Sequence, residues 1–171
     1  MTTELALRRA TLNDAEALAR GAVAGVSEYG EFATGWSGRG YEHELADVQA
    51  NLADPEYHAI VAVAADGAVA GQVTVVPAAK AARPVEDPAL GHLRNLYLDR
   101  SQWGSGLAST LMEAAVEGAR ERGFAELRLF VAEGQARARR FYEREGWRAV
   151  TEPYFDSVPG LSMVEYRRAL G

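Results

Sequence analysis

Cysteine is absent from the 171-residue sequence, and histidine occurs only three times, at positions 43, 58 and 92. Without cysteine the chain has no disulfide framework, no thiolate metal site and no cysteine nucleophile. The histidines show no HExxH or similar ligand spacing, so we expect no metal. No apolar run approaches the roughly 18 residues of a membrane span, and the amino-terminal MTTELALRR lacks the apolar core of a signal peptide. These absences predict a cytoplasmic protein without a membrane partner.

Basic residues are outnumbered, with 18 Lys and Arg against 24 Asp and Glu and a net charge of -6. Binding to nucleic acid depends on a basic face that neutralises phosphates, so this balance argues against a nucleic-acid partner. The length suits one domain with a sizeable core. No linker, repeat or low-complexity segment divides the chain, and we therefore predict a single domain over residues 1–171.

Strand-like and helix-like hydrophobic patterns follow one another along the chain. Helical spacing predicts helices after Thr11, over about 41–52, from Gly106 to about Arg122, and from Gln135 to Glu145. Short β-rich runs predict strands at 4–9, on both sides of the Asp66-Gly67 turn, at 91–99, at 125–131, and in WRAVT and LSMVEYRRAL. The predicted order is β-α-α-β-β-β-α-β-α-β-β. We expect an α/β fold with a mixed central β-sheet flanked by helices.

The segment LYLDRSQWGSGLASTLM combines a strand, a tight glycine loop and the start of a helix. The first N–H groups of a helix have no intrahelical partner, and with the helix dipole they form an anion site. Gly104 and Gly106 would let a phosphate reach the backbone. A P-loop needs Lys after its last glycine, whereas Leu107 stands there. The dinucleotide pattern GxGxxG is nearly met, with Ser109 in its last position, so the loop alone leaves a small nucleotide-binding domain open.

A second motif, LFVAEGQARARRFYEREGW at 129–147, separates these alternatives. Joined to the glycine loop, it resembles the GNAT superfamily of acyl-CoA-dependent N-acetyltransferases. The close match covers about residues 91–150. Two positions depart from the family pattern: Trp103 stands where Arg or Gln is usual, and Gln135 where Asn is usual. The first change is mild because the loop binds through backbone amides, and the second keeps an amide side chain.

The resemblance implies that acetyl-CoA is the co-substrate. The pantetheine arm would lie beside the strand at Leu96, Tyr97 and Leu98, and an N–H near Leu98 would polarise the acetyl carbonyl where a bulge splays this strand from its neighbour. Gln135 would orient the pantetheine or the nucleotide half. The pyrophosphate would lie on the amides of Trp103, Gly104, Ser105, Gly106, Leu107, Ala108 and Ser109.

The implied reaction is direct attack of a primary amine on the acetyl group through a tetrahedral intermediate. A lysine-like ammonium has a pKa near 10.4, so a base is expected to matter. Many family members place a glutamate on this strand where the present chain has His92, which is our candidate base, with Glu133 as a rival. Tyr142 is the candidate acid that protonates the departing thiolate.

The acceptor, a small-molecule or peptide amine, is expected between the first two helices, their loop and the last strands. Acidic residues there would attract an ammonium group, and aromatic residues would supply an apolar wall. The acidic residues are Glu28, Glu31, Glu42, Glu44 and Asp47 against Arg39, and the aromatic ones are Tyr29, Phe32, Trp36 and Tyr41. Among the arginines at 137, 139 and 140, Arg139 is expected to pair with Glu143. A homodimer and a non-catalytic acyl-CoA-binding module on the same fold stay open.

Overall fold

Each strand-like or helix-like stretch of the sequence forms the element that its hydrophobic period predicts. The structure is a computed structural model that describes residues 4–31, 33, 36 and 38–171. Within these residues the helices are α1 (Ala15–Ser27), α2 (Tyr41–Leu52), α3 (Leu107–Glu121) and α4 (Ala136–Arg144). The strands are β1 (Leu5–Arg9), β2 (His58–Ala64), β3 (Val69–Pro77), β4 (Leu90–Leu98), β5 (Glu126–Ala132), β6 (Arg148–Ala149), β7 (Tyr154–Asp156) and β8 (Leu161–Ala169).

The strands form one mixed sheet in the order β1-β2-β3-β4-β5-β8-β6, with β7 paired to β8. Only β4 and β5 run parallel among the described pairs, and the others are antiparallel. The predicted fold class and element order are confirmed, apart from the three-residue β7, which the sequence pattern did not indicate. A doubly wound nucleotide-binding domain has a mostly parallel sheet, so this topology argues against that alternative.

Helices cover both faces of the sheet. On one face α3 buries Leu107, Leu111 and Ala115 against β3, β4 and β5, as its spacing predicted. Gly71 on β3 makes this contact close, since a Cβ there would lie 2.9 Å from Leu111 Cδ1 and 3.2 Å from Leu107 Cδ2. The first turn of α3 is therefore held against the sheet, beside the carboxyl end of β4. On the other face α1 and α2 cover a second apolar cluster.

Candidate active site

A split in the sheet lies between β4 and β5. The two strands pair over three positions, from Leu90 beside Glu126 to His92 beside Arg128. Both strands lie wholly within the described residues and continue for several residues beyond this point without pairing to each other. The far edge of β5 stays paired to β8 along its whole length. The split therefore opens the inner edges of β4 and β5 toward the carboxyl ends of both strands.

A bulge in β4 accompanies the split. Thr74 on β3 stands opposite Arg94, and Gln72 stands opposite Tyr97. Between these two pairs β4 contains one more residue than β3. Asn95, inside the bulge, has φ of 55° in the left-handed region. This confirms the bulge that the family resemblance implied, and it lies three residues before Leu98.

Beyond the bulge, the backbone of β4 presents hydrogen-bonding groups to the split. Asp99 donates its N–H to Ala70 O of β3 at 2.9 Å. Backbone groups of successive strand residues point to alternate edges, so Tyr97 faces β3, while Leu96 and Leu98 direct their N–H and C=O groups to the open edge. An extended ligand that enters the split would thus find the unused groups of Leu96 and Leu98.

The glycine loop leads from this open edge to the first turn of α3. Gly104 and Gly106 have φ of 79° and 88°, which L side chains rarely adopt, and a Cβ at either position would meet no atom within 4 Å. Glycine is therefore required here for backbone conformation. Four N–H groups have no protein acceptor among the described residues, namely those of Gly104, Gly106, Ala108 and Ser109. Such amides at a helix N-terminus fit a phosphate group.

Side chains around the loop divide into structural and exposed groups. Ser109 donates to Glu145 Oε1 at 2.6 Å, which ties α3 to the end of α4, and the hydroxyl of Ser105 accepts from the Leu107 N–H at 3.2 Å. Trp103 is exposed and lies between two guanidinium groups, Arg137 at 3.9 Å and Arg100 at 5.0 Å from its ring centroid. The position where the family pattern has Arg or Gln is thus flanked by cations that other residues supply.

The residues at the start of α4 close the turn from β5. Gln135 accepts a hydrogen bond from the Ala132 N–H through its side-chain Oε1 at 3.2 Å. Its amide nitrogen forms no hydrogen bond to another described residue. The direct pair predicted between Arg139 and Glu143 is wrong for the described residues, because both side chains bind the hydroxyl of Tyr166, which accepts from Arg139 and donates to Glu143 at 3.0 Å each.

Tyr142 lies on the inner side of α4, against the core that α3 forms with the sheet. Its ring contacts those of Phe141, Trp147 and Tyr166, with centroids 5.5, 6.1 and 6.3 Å away. Burial, and to a smaller extent the nearby phenol of Tyr29, raise the pKa of Tyr142 above its ordinary value. The phenol therefore stays protonated across the neutral range, as a proton donor requires.

His92 is buried at the apex of the split, with 5 % of its surface exposed. Its Nδ1 accepts a hydrogen bond from Arg128 Nε at 3.2 Å, and its ring lies 5.1 Å from that of Phe130. Burial, with Arg128 and Arg94 adding to it, lowers the pKa of His92 to about 3. A neutral imidazole that accepts at Nδ1 carries its proton on Nε2, so neither nitrogen is free to take a proton. This environment favours a structural role for His92 over the predicted base role.

The carboxylates near the split differ in their surroundings. Glu133 is exposed and accepts from the Ser162 hydroxyl at 2.7 Å. Glu28, directly after α1, is partly buried, and burial followed by the neighbouring Glu31 raises its pKa above the ordinary value. Its charge reaches Tyr97 on the split strand, where burial, Asp99 and Glu28 together raise the pKa of the phenol. Sequence reasoning placed Glu28 only in an acidic rim and missed its closeness to β4.

A cavity of about 540 Å³ lies where the acceptor was expected. The segment after α1, the start of α2 and the turn between β7 and β8 enclose it. Glu44 reaches this wall, while Arg39, also on the wall, is paired with Asp47 at 2.7 Å. Phe32, predicted as part of the apolar wall, lies outside the described residues. The lining includes Val26, Tyr29, Trp36, Arg39, Glu44 and Val158.

A parallel strand pair splits in this α/β fold, and its open edge leads to a helix N-terminus with free amides, an arrangement suited to an extended ligand that carries a phosphate. The family model described as the acetyltransferase (GNAT) family matches residues 26–147, which is more than half of the sequence. The chain belongs to this family, and it is accordingly an acetyltransferase. Comparison with curated proteins gives no significant match.

Solved structures show the same fold. A GNAT-family acetyltransferase from Staphylococcus aureus Mu50 has a TM-score of 0.76 at 14% identity, with 98% of this chain and 100% of that chain covered. A Salmonella typhimurium structure that contains its cofactor acetyl-CoA has a TM-score of 0.75 at 18% identity, with 99% and 95% covered. A GCN5-related N-acetyltransferase from Kribbella flavida has a TM-score of 0.73 at 20% identity, with 96% and 97% covered.

None of the helices in the described part of the chain has the length and apolar character that a membrane span requires. No group of three or more His, Cys, Asp or Glu side chains in the same residues is arranged to hold a metal ion.

Proposed function

We propose that the protein transfers the acetyl group of acetyl-CoA to a primary amine. The observation that carries this proposal is the continuity of two features: the open edge of β4 at Leu96–Leu98 and the four free amides that begin at Gly104. An extended pantetheine arm fits the first, and a pyrophosphate fits the second. The loop residues 103–109 and Gln135 are the proposed cofactor-binding residues.

The carbonyl of the acetyl group would be polarised by a backbone donor on β4. The Leu98 N–H points to the open edge by the alternation set at Asp99, and it is fixed before the reaction begins. A preorganised donor of this kind stabilises the oxyanion that forms when the amine attacks. The bond to the amine nitrogen forms first and gives a tetrahedral intermediate. Its collapse restores the carbonyl, breaks the carbon–sulfur bond and releases the sulfur as a thiolate.

The ammonium form of the acceptor must lose a proton before attack. We assign this step to Glu28 rather than to His92. Glu28 directly follows α1, which packs on β4, and its raised pKa makes it a better base than an ordinary glutamate. Tyr142 then donates its proton, or a hydrogen bond, to the departing sulfur. Desolvation raises the pKa of this phenol, so it carries its proton at neutral pH.

The cavity between α1, α2 and the β7–β8 turn is the proposed acceptor site. Glu44 on its wall would attract an ammonium group, and Tyr29 and Trp36 would contact the apolar part of the acceptor. A cytoplasmic location and a homodimer stay as further predictions.

Thiol release with a panel of amines tests the proposal. Wild-type protein is expected to release CoA only when both acetyl-CoA and an amine are present. Binding of acetyl-CoA without turnover of any amine would favour a non-catalytic acyl-CoA-binding module instead. Binding of NADH without binding of CoA would favour a nucleotide-binding domain.

The pH profile separates the two candidate bases. For Glu28→Gln we expect kcat/KM at pH 7 to fall about 10²-fold and to recover as the pH rises toward the pKa of the amine. In His92→Gln the profile should keep its shape, and any loss should be uniform across pH. An acidic limb that disappears in His92→Gln and persists in Glu28→Gln would reverse the assignment.

A further inference from the structure

Several buried polar side-chain atoms have no hydrogen-bond partner among the described residues. Five such side-chain atoms occur among the described residues. Trp147 Nε1 belongs to the core under α3. Trp36 Nε1 and Tyr154 Oη lie in the cluster that the segment after α1 forms with Phe130. The two remaining atoms, Thr74 Oγ1 and Arg94 Nε, belong to directly opposed residues of β3 and β4. Buried polar groups are normally paired, so two unpartnered atoms on facing residues mark a place suited to a polar ligand.

Arg94 is the charged member of this group. It lies two residues beyond the last paired position of β4 and β5, on the split part of the strand. Its side chain shares a face with Tyr97, because their β3 partners, Thr74 and Gln72, are two residues apart. Tyr97 lies beneath α1, where a Cβ on Gly25 would be 3.8 Å from the Tyr97 ring. Arg94 therefore lies on the face of the sheet that α1 covers.

The guanidinium of Arg94 has no anionic partner among the described residues. No carboxylate, carbonyl or hydroxyl of these residues accepts a hydrogen bond from it, and its Cζ lies 5.6 Å from the centroid of the Tyr57 ring. Two other arginines differ, the buried Arg128 and the half-exposed Arg8. Arg128 binds His92 and the carbonyl of Ala82, and Arg8 binds both oxygens of Asp14. Arg94 is thus a partly buried cation whose guanidinium is available to bind an anion.

We propose that Arg94 is a subsite for a carboxylate on the acceptor, so that the acceptor is an amine that also carries a carboxyl group, such as an amino acid. This inference rests on the proposed function. A guanidinium offers two parallel donors that match the two oxygens of a carboxylate. Glu28 directly follows α1, which packs on this face of the sheet, and Glu44 lines the acceptor cavity. A zwitterion would place its ammonium toward these carboxylates and its carboxylate toward Arg94.

Matched acceptors test the proposal on the wild-type protein alone. Glycine, β-alanine, γ-aminobutyrate, L-leucine and L-phenylalanine would each be compared with its carboxamide by kcat/KM for thiol release. The carboxamide has the less basic amine and hence more of the reactive neutral form, so a preference for the acid cannot arise from amine protonation. We expect the best acid to exceed its carboxamide about 10- to 100-fold, the value of one charge-assisted hydrogen-bonded pair.

Substitutions assign that preference to Arg94. Arg94→Met should abolish it through a higher KM for the acid, with the carboxamide rate and the Kd for acetyl-CoA unchanged. Arg94→Lys should retain part of the preference for the acid, because the positive charge remains while the two parallel N–H donors of the guanidinium are lost. The exposed Arg20→Met on α1 is the matched control for loss of one positive charge, and it should behave like wild type.

Two failures are distinguishable. If wild-type protein acetylates carboxamides as well as the corresponding acids, the Arg94 subsite is wrong and the proposed function stands. If acetyl-CoA binds to no form of the folded protein, or no amine of either class is acetylated, the proposed function fails and the subsite fails with it.

Discussion

At the scale of single residues, Tyr142 is the side chain on which the proposed chemistry depends most. Its ring is packed by three aromatic neighbours, so removal of the hydroxyl alone should leave the packing intact. We predict that Tyr142→Phe lowers kcat about 10²-fold and leaves the Kd for acetyl-CoA nearly unchanged, because the phenol acts on the leaving sulfur. Steady-state thiol release measures the first quantity and calorimetry the second. Tyr41→Phe on α2 is the control, and an equal loss in both variants would contradict the assignment.

Asp14 supports a prediction about stability. It is 6 % exposed, accepts two hydrogen bonds from Arg8 at 2.8 and 2.9 Å, and accepts the Thr11 N–H at 2.8 Å. The hydrogen bonds from Arg8 hold the pKa of this carboxyl below its ordinary value. A depressed folded pKa means that the stabilisation is present above the unfolded pKa, near 3.9, and is lost as the pH falls through the folded value.

For Asp14→Asn we therefore predict a free energy of unfolding about 1 kcal/mol lower at pH 7, since Arg8 is half exposed and its pair is screened by water. The difference in free energy of unfolding between wild type and variant should shrink as the pH falls below the pKa of the carboxyl in the unfolded state. Urea unfolding at pH 7 and pH 3 measures it, and a gap that persists unchanged at pH 3 would mean that packing, not charge, is responsible.

At the scale of elements, the bulge in β4 connects the fold to the site. Asn95 occupies the left-handed region, which asparagine tolerates better than β-branched residues. We predict that Asn95→Val lowers the free energy of unfolding by about 1–2 kcal/mol and weakens acetyl-CoA binding, because the register of Leu96–Leu98 depends on the bulge. Asn95→Gly keeps the conformation accessible and serves as the matched control. Equal affinity of both variants for acetyl-CoA would show that cofactor binding does not depend on the bulge, contrary to this prediction.

The elements also show how far the sequence could predict this site. Hydrophobic period and caps located nearly every strand and helix, and the glycine loop and FYEREGW identified the family. The split between β4 and β5 could be predicted only from the resemblance to the family, because strand pairing and register are tertiary properties that no local sequence pattern specifies. The surroundings of His92 could not be inferred either: Arg128 is 36 residues away in the chain and meets His92 only across the sheet.

At the scale of the whole molecule, the net charge of -6 is distributed unevenly around the site. The guanidinium groups of Arg100 and Arg137 lie beside Trp103 at the cofactor loop, whereas Glu44 lines the acceptor cavity. An anionic cofactor and a cationic amine would thus meet complementary charges on different sides of the same split. Rising ionic strength should weaken both interactions, because part of this complementarity is exposed to solvent.

The most direct test of this account is calorimetric titration of acetyl-CoA into wild-type protein, Ala108→Asp and Ala108→Asn. Position 108 lies in the first turn of α3, where an acid stabilises the helix, so the aspartate variant should stay folded, as circular dichroism would verify. We predict saturable binding by wild type and Ala108→Asn, and about 10²-fold weaker binding by Ala108→Asp. The aspartate carboxylate would bind the loop amides itself and would repel the phosphate groups of acetyl-CoA. A folded wild-type protein that does not bind acetyl-CoA, or an aspartate variant that binds as tightly as wild type, would contradict the account.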